Sequence, residues 1–328
     1  MSKYITTYFY QDTEDRGASY GNIFLPFNQR NQVYWQTVYT LFYTSIVHNK
    51  ENDIKYAFFT NVSSFPFRKE IESLGVRIFD DLNLSHRNHK QWATVKFFFD
   101  VIDYIAEGSD FNEDDIIIML DSDCIATNSA TELFNKMDLV EEPITYVTSK
   151  MIPNDLDFHG LPISKLENIY KESFASEINI KETIGGEFFL FKKNQQLEKI
   201  RHQYNNLLNS SYCKSISTEE QILTMINAAN KFINIDYSIY RIWTAYKNFD
   251  VCEDFNKYCF LHLPSEKSTG LSHLFNHLIK INKSNYNSET LNQDIYSYIP
   301  LHNPLKLYTM KTFSNLRYKL SKFFKTYV

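Results

Sequence analysis

Short apolar runs alternate with helix-like stretches along the first third of the chain. In the helical stretches hydrophobic side chains recur every three or four positions, whereas the apolar runs are rich in β-branched and aromatic residues. The predicted strands are Tyr4–Tyr10, Ile54–Thr60, Val76–Phe79 and Asp115–Leu120, and the predicted helices are Gln32–Val47, Phe67–Leu74 and Trp92–Ala106. Because strands and helices alternate, the pattern predicts an α/β fold with a largely parallel sheet.

The middle of the chain continues the pattern less regularly. The predicted helices here are Ala130–Lys136, Gln195–Leu208 and Thr218–Ala229, and the predicted strands are Ile144–Thr148, Glu187–Phe191 and Tyr258–Leu263. The stretch Met151–Ser176 is polar and contains two prolines and a glycine, so we predict an irregular segment there, a candidate mobile lid. No linker rich in Gly, Pro or Ser interrupts the chain. We therefore predict one domain over residues 1–270 and a helical tail over residues 271–328.

The most informative polar residues follow a buried strand. Asp121-Ser122-Asp123 comes directly after Ile116–Leu120, a continuously apolar run typical of a central strand. Ligands of open α/β sheets bind just outside the carboxyl ends of the strands. Two carboxylates at that place are suitable ligands for a hard divalent cation. A second Asp-x-Asp, Asp155-Leu156-Asp157, lies in a polar stretch without a preceding strand, and we expect no site there.

Composition limits the classes of protein that fit. The chain of 328 residues has a net charge of −5 and a pI of about 6.0, which argues against a nucleic-acid binder. Its four cysteines form no CxxC pair, so neither a zinc site nor a disulfide framework is indicated. The N-terminus resembles no secretory signal, and the chain has no apolar run long enough to span a membrane. These features predict a cytoplasmic protein.

Three further segments are candidates for chemistry, and each has a purely structural alternative. Gly185-Gly186-Glu187 contains two of only 8 glycines, which indicates a close approach to a ligand or, alternatively, a β-bulge. In Ser217–Gln221, Glu220 reaches into a pocket or, alternatively, the segment is a helix capping box in which Ser217 or Thr218 is the cap and Glu220 or Gln221 closes the box. Near the last strand, His262 is either a metal ligand or a satisfied core histidine, and Lys267 is a candidate phosphate-binding residue.

The order of these segments resembles a known class of enzymes. Trp92-Ala93-Thr94-Val95-Lys96, the Asp121–Asp123 block, the glycine pair, the acidic helix start and a late His and Lys are similar to the motifs of GT-A nucleotide-sugar glycosyltransferases. They are most similar to family 8, the retaining galactosyl- and glucosyltransferases of bacterial lipopolysaccharide. Thr94 stands where that family usually has Arg, and Pro264-Ser265 where it usually has Gly.

The resemblance implies a GT-A-like mixed sheet flanked by helices, and a role for each candidate residue. Mn²⁺ or Mg²⁺ would bind the metal ligands, which are Asp121, Asp123 and His262. A UDP-sugar donor would contact the cofactor-binding residues, which are Tyr8 (stacked on the base), Lys96, Ser122, Gly185, Gly186 and Lys267. Glu220, which aligns best with an acidic residue of similar families, would face the anomeric carbon. Glu187 has no counterpart in the family 8 pattern, but its place just before an apolar strand makes it a second candidate for this position or for binding sugar hydroxyls. The implied reaction transfers a hexose, with retention, to a hydroxyl of a lipopolysaccharide or capsule glycan.

Other functions remain open from the sequence. With Glu187 or Glu220 as a base, the same fold performs inverting transfer. A nucleotidyltransferase would also place a metal on a parallel sheet, although it usually has a basic, glycine-rich loop near the first strand. A non-catalytic glycan- or membrane-binding protein of the same fold is the third alternative.

The tail differs from the rest of the chain in charge. No acidic residue follows Asp294, and basic and apolar residues recur at helical spacing between Leu301 and Val328. The basic residues are Lys306, Lys311, Arg317, Lys319, Lys322 and Lys325, and the apolar ones are Phe313, Leu316, Leu320, Phe323, Phe324 and Tyr327. Such a helix either attaches to the anionic inner face of the cytoplasmic membrane or docks on the protein or a second subunit.

Overall fold

The computed structural model of the protein describes residues 1–12, 27–86, 94–153, 155–245, 248–249, 252, 254–281, 286–299, 309 and 312. Its strands are β1 (Lys3–Phe9), β2 (Ile54–Thr60), β3 (Val76–Phe79), β4 (Ile116–Leu120), β5 (Cys124–Ala126), β6 (Ile144–Lys150), β7 (Asp157–Phe158), β8 (Leu161–Pro162), β9 (Glu182–Lys192), β10 (Ile233–Asn234), β11 (Ile239–Arg241), β12 (Thr244–Ala245), β13 (Asn248–Phe249) and β14 (Phe260–His262).

The helices lie mainly between consecutive strands. They are α1 (Phe27–His48), α2 (Arg68–Ser73), α3 (Phe97–Glu107), α4 (Thr131–Asp138), α5 (Ile163–Phe174), α6 (Gln195–Asn209), α7 (Glu219–Asn230), α8 (Gly270–Leu278) and α9 (Ser288–Tyr298), with a short 3-10 helix at Phe255–Lys257. None of the described helices is long and apolar enough to cross a lipid bilayer.

The main sheet, within the described residues, has the strand order β10-β6-β9-β4-β1-β2-β3. Its pairs β1–β2, β1–β4, β2–β3 and β10–β6 are parallel, whereas β9 runs antiparallel to both β4 and β6. This mixed α/β sheet confirms the predicted fold class. The reversal of β9 has a consequence for the site, because the middle of β9, at Phe188, pairs with the carboxyl end of β4, at Leu120.

A smaller sheet extends from that carboxyl end. Its order is β11-β14-β5, with β14 parallel to β11 and antiparallel to β5. Since β5 begins only a few residues after β4, the turn between them carries Asp121 and Asp123 into the junction of the two sheets. The pairing places His262 opposite Cys124 on one side and opposite Arg241 on the other.

Both faces of the main sheet are covered, as the continuous apolar character of β4 predicts. Side chains alternate between faces along a strand. Ile117 and Met119 accordingly belong to the core that contains α3, α6 and α7, while Ile116, Ile118 and Leu120 belong to a core that contains α4. A third core joins α1 to α8 and α9. Helices α8 and α9 thus share a hydrophobic core with α1.

Two sequence predictions differ from the structure. The segment Met151–Ser176 is not irregular: it contains the hairpin β7–β8 and then α5, whose buried side chains recur at helical spacing at Ile163, Leu166, Ile169 and Tyr170. The strand predicted at Glu187–Phe191 begins earlier, and β9 has 11 residues with Gly185 and Gly186 inside it. In the first segment proline and glycine suggested a loop, but packing of the apolar face of α5 determined a helix. In the second, the pairing of β9 with β6 shifts register between Ile184 and Phe189, which agrees with the β-bulge alternative for the glycine pair.

Part of the predicted third helix and the basic part of the tail lie outside the described residues. Trp92 and Ala93 lie outside the described residues, and Thr94–Lys96 form a turn ahead of α3. The amphipathic helix predicted over residues 301–328 likewise lies outside the described residues, except for Thr309 and Thr312. The division at residue 270 and the role of the tail stay predictions.

Candidate active site

The aspartate pair lies where β4 ends. Thr7 of β1 pairs with Leu120, so that the next residue of β1, Tyr8, lies beside Asp121. The Tyr8 hydroxyl donates a hydrogen bond of 3.0 Å to Asp121 Oδ1. On the other side of β4, the backbone N–H of Asp121 donates to the Glu187 carbonyl at 3.1 Å. The pair is therefore held from both neighbouring strands.

His262 reaches the aspartates through the smaller sheet. The backbone N–H of Leu263 donates to the Asp123 carbonyl at 3.1 Å, which brings the end of β14 against the turn. His262 Nε2 lies 3.3 Å from Asp123 Oδ2 and 3.7 Å from Asp121 Oδ2. One ligand atom from each of Asp121, Asp123 and His262 lies within 4.8 Å of the others.

Lys267 completes this group, which we call the aspartate cluster (Asp121, Asp123, His262 and Lys267). The Lys267 ammonium contacts Asp123 Oδ2 and lies 5.8 Å from the centre of the Tyr34 ring. Lys267 is 2% exposed, so its charge is compensated inside the protein rather than by water. Tyr34 was not anticipated from the sequence, where it is one of several aromatic residues on α1.

The two aspartates differ in their electrostatic surroundings. Burial, with a contribution from Asp123, raises the pKa of Asp121 to about 6. Burial also opposes ionisation of Asp123, but Lys267 and His262 outweigh it and lower the pKa of Asp123. Burial disfavours the imidazolium of His262, whereas Asp123 and Glu187 favour it more strongly, so that the His262 pKa rises to about 9. Cationic neighbours thus compensate the carboxylates.

These donor atoms fit a divalent cation of the Mg²⁺ or Mn²⁺ type. Carboxylate oxygens suit both ions, and the neutral imidazole of His262, a common metal ligand, can supply a third donor atom. Asp121 remains partly accessible, with its side chain 22% exposed, whereas Asp123 and His262 are almost fully buried. The group therefore has one accessible side from which a ligand can reach the cation position.

A second group of charges adjoins the first at the start of α7. Thr218 caps this helix: its side chain accepts from Gln221 N, and Gln221 Oε1 accepts from Thr218 N at 3.2 Å. The predicted capping box is therefore confirmed, with Gln221 as its distal member. Because Gln221 performs the capping, the carboxylates of Glu219 and Glu220 are available for other contacts.

Glu220 and Glu187 share one guanidinium. Arg241 holds Glu187 with two hydrogen bonds, Nε to Oε1 at 2.6 Å and Nη2 to Oε2 at 2.5 Å, and Nη2 also donates to Glu220 Oε1 at 2.6 Å. The His159 imidazole contacts Glu220 Oε2. With Glu219, these residues form what we call the glutamate cluster (His159, Glu187, Glu219, Glu220 and Arg241).

The glutamate cluster contains ionised and neutral carboxyl groups. Burial opposes ionisation of Glu187, but Arg241 and His262 outweigh it and lower the Glu187 pKa to about 2. Arg241 and His159 likewise outweigh burial and lower the pKa of Glu220. Glu219 is the exception, because burial, Glu220 and Asp121 all raise its pKa well above 4.5. Its Oε2 atom is buried and has no hydrogen-bond partner among the described residues.

The glycine pair makes room for these carboxylates. A Cβ atom on Gly185 would lie 2.8 Å from Glu187 Cδ, and one on Gly186 would lie 3.0 Å from Glu219 Cδ. The Gly186 N–H donates to Glu220 Oε1 at 3.2 Å. The close approach predicted from these glycines is thus made by the protein's own glutamates, and neither glycine has a positive φ.

Lys96, Ser122 and Tyr8 were also predicted to contact the nucleotide-sugar, and their surroundings in the structure differ. Lys96 is buried, and its ammonium donates to the Cys213 carbonyl at 2.9 Å in the connection between α6 and α7. Ser122 is buried between the two aspartates. The Tyr8 ring packs edge-on against Phe97 and Phe98, with centroid separations of 6.3 and 5.9 Å. Contacts of these residues with a nucleotide stay predictions.

Arg241, His159 and Glu219 were missed from the sequence. Arg241 lies on a short strand, and only the register of β11 with β14 brings it beside His262. His159 lies in the two-residue loop of the β7–β8 hairpin, where its φ of 55° and that of Gly160, 87°, give the left-handed backbone that such a loop requires. Glu219 directly precedes Glu220, and no sequence signal indicates that its side chain is buried beside Gly186.

Similarity to known proteins lies in the fold. No protein-family model and no curated protein sequence matches the chain. Among solved structures, the bifunctional glycosyltransferase WbbM aligns with 89% of this chain at 12% identity and a TM-score of 0.55. The match covers 51% of the WbbM chain, so this protein spans about half its length.

Two other solved structures align over most of both chains with lower scores. Mouse xyloside xylosyltransferase 1 aligns over 80% of this chain and 97% of its own, at 11% identity and a TM-score of 0.48. The galactosyltransferase LgtC, solved with donor and acceptor sugar analogues, aligns over 90% of this chain and 95% of its own, at 12% identity and a TM-score of 0.46. The similarity to WbbM, together with the mixed sheet, identifies the fold as GT-A, the fold of nucleotide-sugar glycosyltransferases.

Proposed function

We propose that the protein is a metal-dependent glycosyltransferase that moves a hexose from a UDP-sugar to a hydroxyl group of a glycan. The observation that carries this proposal is the convergence of Asp121, Asp123 and His262 within 4.8 Å at the carboxyl end of β4, in a GT-A fold. That edge of an open α/β sheet is where ligands bind. The fold by itself would not assign a metal-dependent reaction, because one fold can host many functions.

The aspartate cluster is proposed to hold the diphosphate end of the donor. Mn²⁺ or Mg²⁺, held by Asp121, Asp123 and His262, would neutralise charge that develops on the departing UDP. The ammonium of Lys267 is next to these ligands and can contact a phosphate oxygen once a cation compensates Asp123. Tyr8, Ser122 and Lys96 are proposed to contact the rest of the nucleotide.

The glutamate cluster is proposed to face the transferred sugar. Glu220 stays ionised and lies on the Gly186 backbone, so it is our candidate for stabilising positive charge at the anomeric carbon. Glu187 is completely buried and doubly bonded to Arg241, which makes it less accessible to a sugar than Glu220. Glu219, as a neutral acid with an unpartnered oxygen, is suited to donate a hydrogen bond to a sugar hydroxyl.

The stereochemistry and the acceptor are finer proposals. The resemblance to family 8 favours retention of configuration and a bacterial lipopolysaccharide or capsule glycan as the acceptor. An NMR spectrum of the first product formed distinguishes an axial from an equatorial anomeric proton. Inversion would assign Glu220 the role of general base instead.

We also propose that the protein works in the cytoplasm, at the inner face of the membrane. The basic residues between Lys306 and Lys325 and the aromatic residues among them would provide the attachment. The full chain should sediment with vesicles that contain anionic lipid and not with neutral ones. Replacing the six basic tail residues by Gln should abolish this binding without changing the hydrolysis described next.

The proposed function is tested by a hydrolysis screen over a panel of nucleotide-sugars in the presence of Mn²⁺. We expect slow release of UDP from one donor, its loss in Asp123→Asn, and its loss when EDTA removes the cation. Asp155→Asn is the matched control, since Asp155 belongs to the exposed second Asp-x-Asp and should retain the activity.

The outcomes separate the proposal from its alternatives. Release of UDP that needs Asp123 and the cation supports a glycosyltransferase. Nucleotide binding without turnover, also in the presence of glycan acceptors, would indicate the non-catalytic alternative. If neither UDP nor any nucleotide-sugar bound in calorimetry with Mn²⁺ present, the proposal would be wrong.

A further inference from the structure

Glu187 is a charged side chain with no solvent exposure. An ionised carboxylate in such a place costs several kcal/mol unless it is paired and hydrogen-bonded. Arg241 supplies a bidentate pair, the strongest common form of such an interaction. An apolar residue at this position of β9 would avoid the cost of burying a charge. The presence of a carboxylate therefore indicates that Glu187 has a role besides packing.

The explanation lies in what Glu187 faces. The imidazole of His262 stands between the two clusters: Nε2 points to Asp121 and Asp123, whereas Nδ1 lies 3.4 Å from Glu187 Oε1. Nδ1 is buried and has no hydrogen-bond partner among the described residues. The 3.4 Å separation is longer than a well-formed hydrogen bond, so a small movement of the ring completes one.

Strand pairing makes this arrangement rigid. Arg241 and His262 are register neighbours on β11 and β14. Glu187 immediately precedes Phe188, where the pairing of β9 with β4 begins, and its carbonyl accepts a hydrogen bond from the Asp121 N–H. Gly185 provides the space, since a Cβ atom there would lie 2.8 Å from Glu187 Cδ and 3.0 Å from Arg241 Nη2. Three strands and one glycine thus hold a carboxylate against the far side of a candidate metal ligand.

Histidines that bind metals usually donate the proton of their second ring nitrogen to a carboxylate or carbonyl, which selects the tautomer and orients the ring. We propose that Glu187, held by Arg241, is a positioning residue for His262: its carboxylate accepts a hydrogen bond from the Nδ1–H group, which keeps the proton on Nδ1 and so presents the Nε2 lone pair to the cation. This inference rests on the proposed function only in assuming that the aspartate cluster binds a divalent cation.

The test measures Mn²⁺ affinity by calorimetry in wild-type protein, Glu187→Gln and His262→Asn. Glu187→Gln should weaken Mn²⁺ binding by about 10–100-fold, the range found when such a supporting partner is lost. Glu220→Gln is the matched control: it removes the other carboxylate bound to Arg241, has no contact with His262 among those described, and should leave the Mn²⁺ affinity within about twofold.

A spectroscopic readout separates positioning from a general structural effect. In protein with ¹⁵N-labelled histidine and saturating Mg²⁺, long-range ¹H–¹⁵N spectra should show the proton of His262 on Nδ1, with the signal assigned through His262→Asn. Glu187→Gln should change the ¹⁵N chemical shifts of both ring nitrogens of His262 and leave the signals of the other histidines unchanged. The double variant Glu187→Leu/Arg241→Met, which removes both buried charges, should show the same loss of Mn²⁺ affinity and serves if Glu187→Gln does not fold.

Failure of the inference and failure of the proposed metal site give different results. If wild-type protein binds Mn²⁺ and Glu187→Gln binds it equally well with unchanged His262 signals, only the positioning role is wrong. If wild-type protein binds no Mn²⁺, the metal-dependent function fails and the positioning role fails with it.

Discussion

The aspartate cluster and the glutamate cluster adjoin at the same edge of the main sheet, yet they balance their charges differently. In the aspartate cluster the ligand atoms of three residues converge, and compensation comes from a lysine and an imidazole. In the glutamate cluster a single guanidinium is bonded to two carboxylates, and a third carboxyl group stays neutral.

The difference indicates separate tasks. Arg is permanently charged and holds carboxylates in a fixed planar geometry, so it stabilises an arrangement that does not need to change. Lys267 is a point charge on a flexible stem and can leave Asp123 when another cation arrives. The first cluster is therefore suited to exchange cations, and the second to keep carboxylates in place. His262 connects them, because its ring contacts both.

The largest expected effect comes from removing the fixed charge of the glutamate cluster. Arg241→Met leaves Glu187 buried without its partner, which should lower the free energy of unfolding by about 3–5 kcal/mol. Urea denaturation of the metal-free protein measures it. Arg77→Met is the control, because Arg77 is 60% exposed and its pair with Asp110 should contribute at most about 1 kcal/mol. Equal losses in the two variants would contradict the assigned role of Arg241.

The next largest expected effect concerns the stability that a divalent cation adds by binding the aspartate cluster. At a hundredfold excess over its Kd, Mn²⁺ should raise the free energy of unfolding of the wild-type protein by about 2.7 kcal/mol, because it binds the folded state. Thermal unfolding with and without Mn²⁺ reveals the increase. His262→Asn should lose most of it, whereas Glu220→Gln should retain it. An increase that survives in His262→Asn would show that the cation binds elsewhere.

The glycine next to the glutamate cluster offers a smaller perturbation. Gly186→Ala places a Cβ atom within 3.0 Å of the Glu219 side chain and should cost about 1–3 kcal/mol through overpacking. The double variant Gly186→Ala/Glu219→Ala should recover part of this loss, since the obstructing carboxyl group is gone. Simple additivity of the two substitutions in denaturant unfolding would argue against contact between them.

The smallest effect concerns the protonation of Glu219. Its pKa is raised above 4.5, so the folded state retains a proton that the unfolded state releases. Stability should therefore fall as pH rises from about 4.5 towards the folded-state pKa, with a slope of at most about 1.4 kcal/mol per pH unit from this group. Glu219→Gln should remove that component. Unfolding free energies measured from pH 4.5 to pH 8 test this, and identical pH profiles for both proteins would refute it.

The order of elements and the position of the aspartates were predictable because they depend on local pattern. A continuously apolar run such as Ile116–Leu120 suits a strand covered on both faces, and polar residues that follow it must lie at the sheet edge. The capping box at Thr218 and Gln221 was readable for the same reason, since its hydrogen bonds join residues only three positions apart.

Prediction was less accurate where local signals conflicted with packing. The predicted strand began only at Glu187, whereas β9 begins at Glu182 and continues through Gly185 and Gly186, because its pairing with β6 on both sides of the glycines outweighs their weak strand propensity. The two prolines within Met151–Ser176 suggested a loop, so the helical spacing of apolar residues in α5 was overlooked. In both places the competing interactions join residues far apart in the chain.

The sequence by itself determined the alternation of strands and helices, the aspartate pair at a strand end, and the capped start of α7. All three follow from hydrophobic periodicity and hydrogen bonds between near neighbours. Only the tertiary structure decided that β9 runs antiparallel and brings Glu187 to the aspartates, that Arg241 and His262 are register neighbours, and that Glu219 is buried. Strand direction, register and burial depend on contacts between distant segments, and charges enclosed by those contacts acquire their partners and pKa values only when the chain folds.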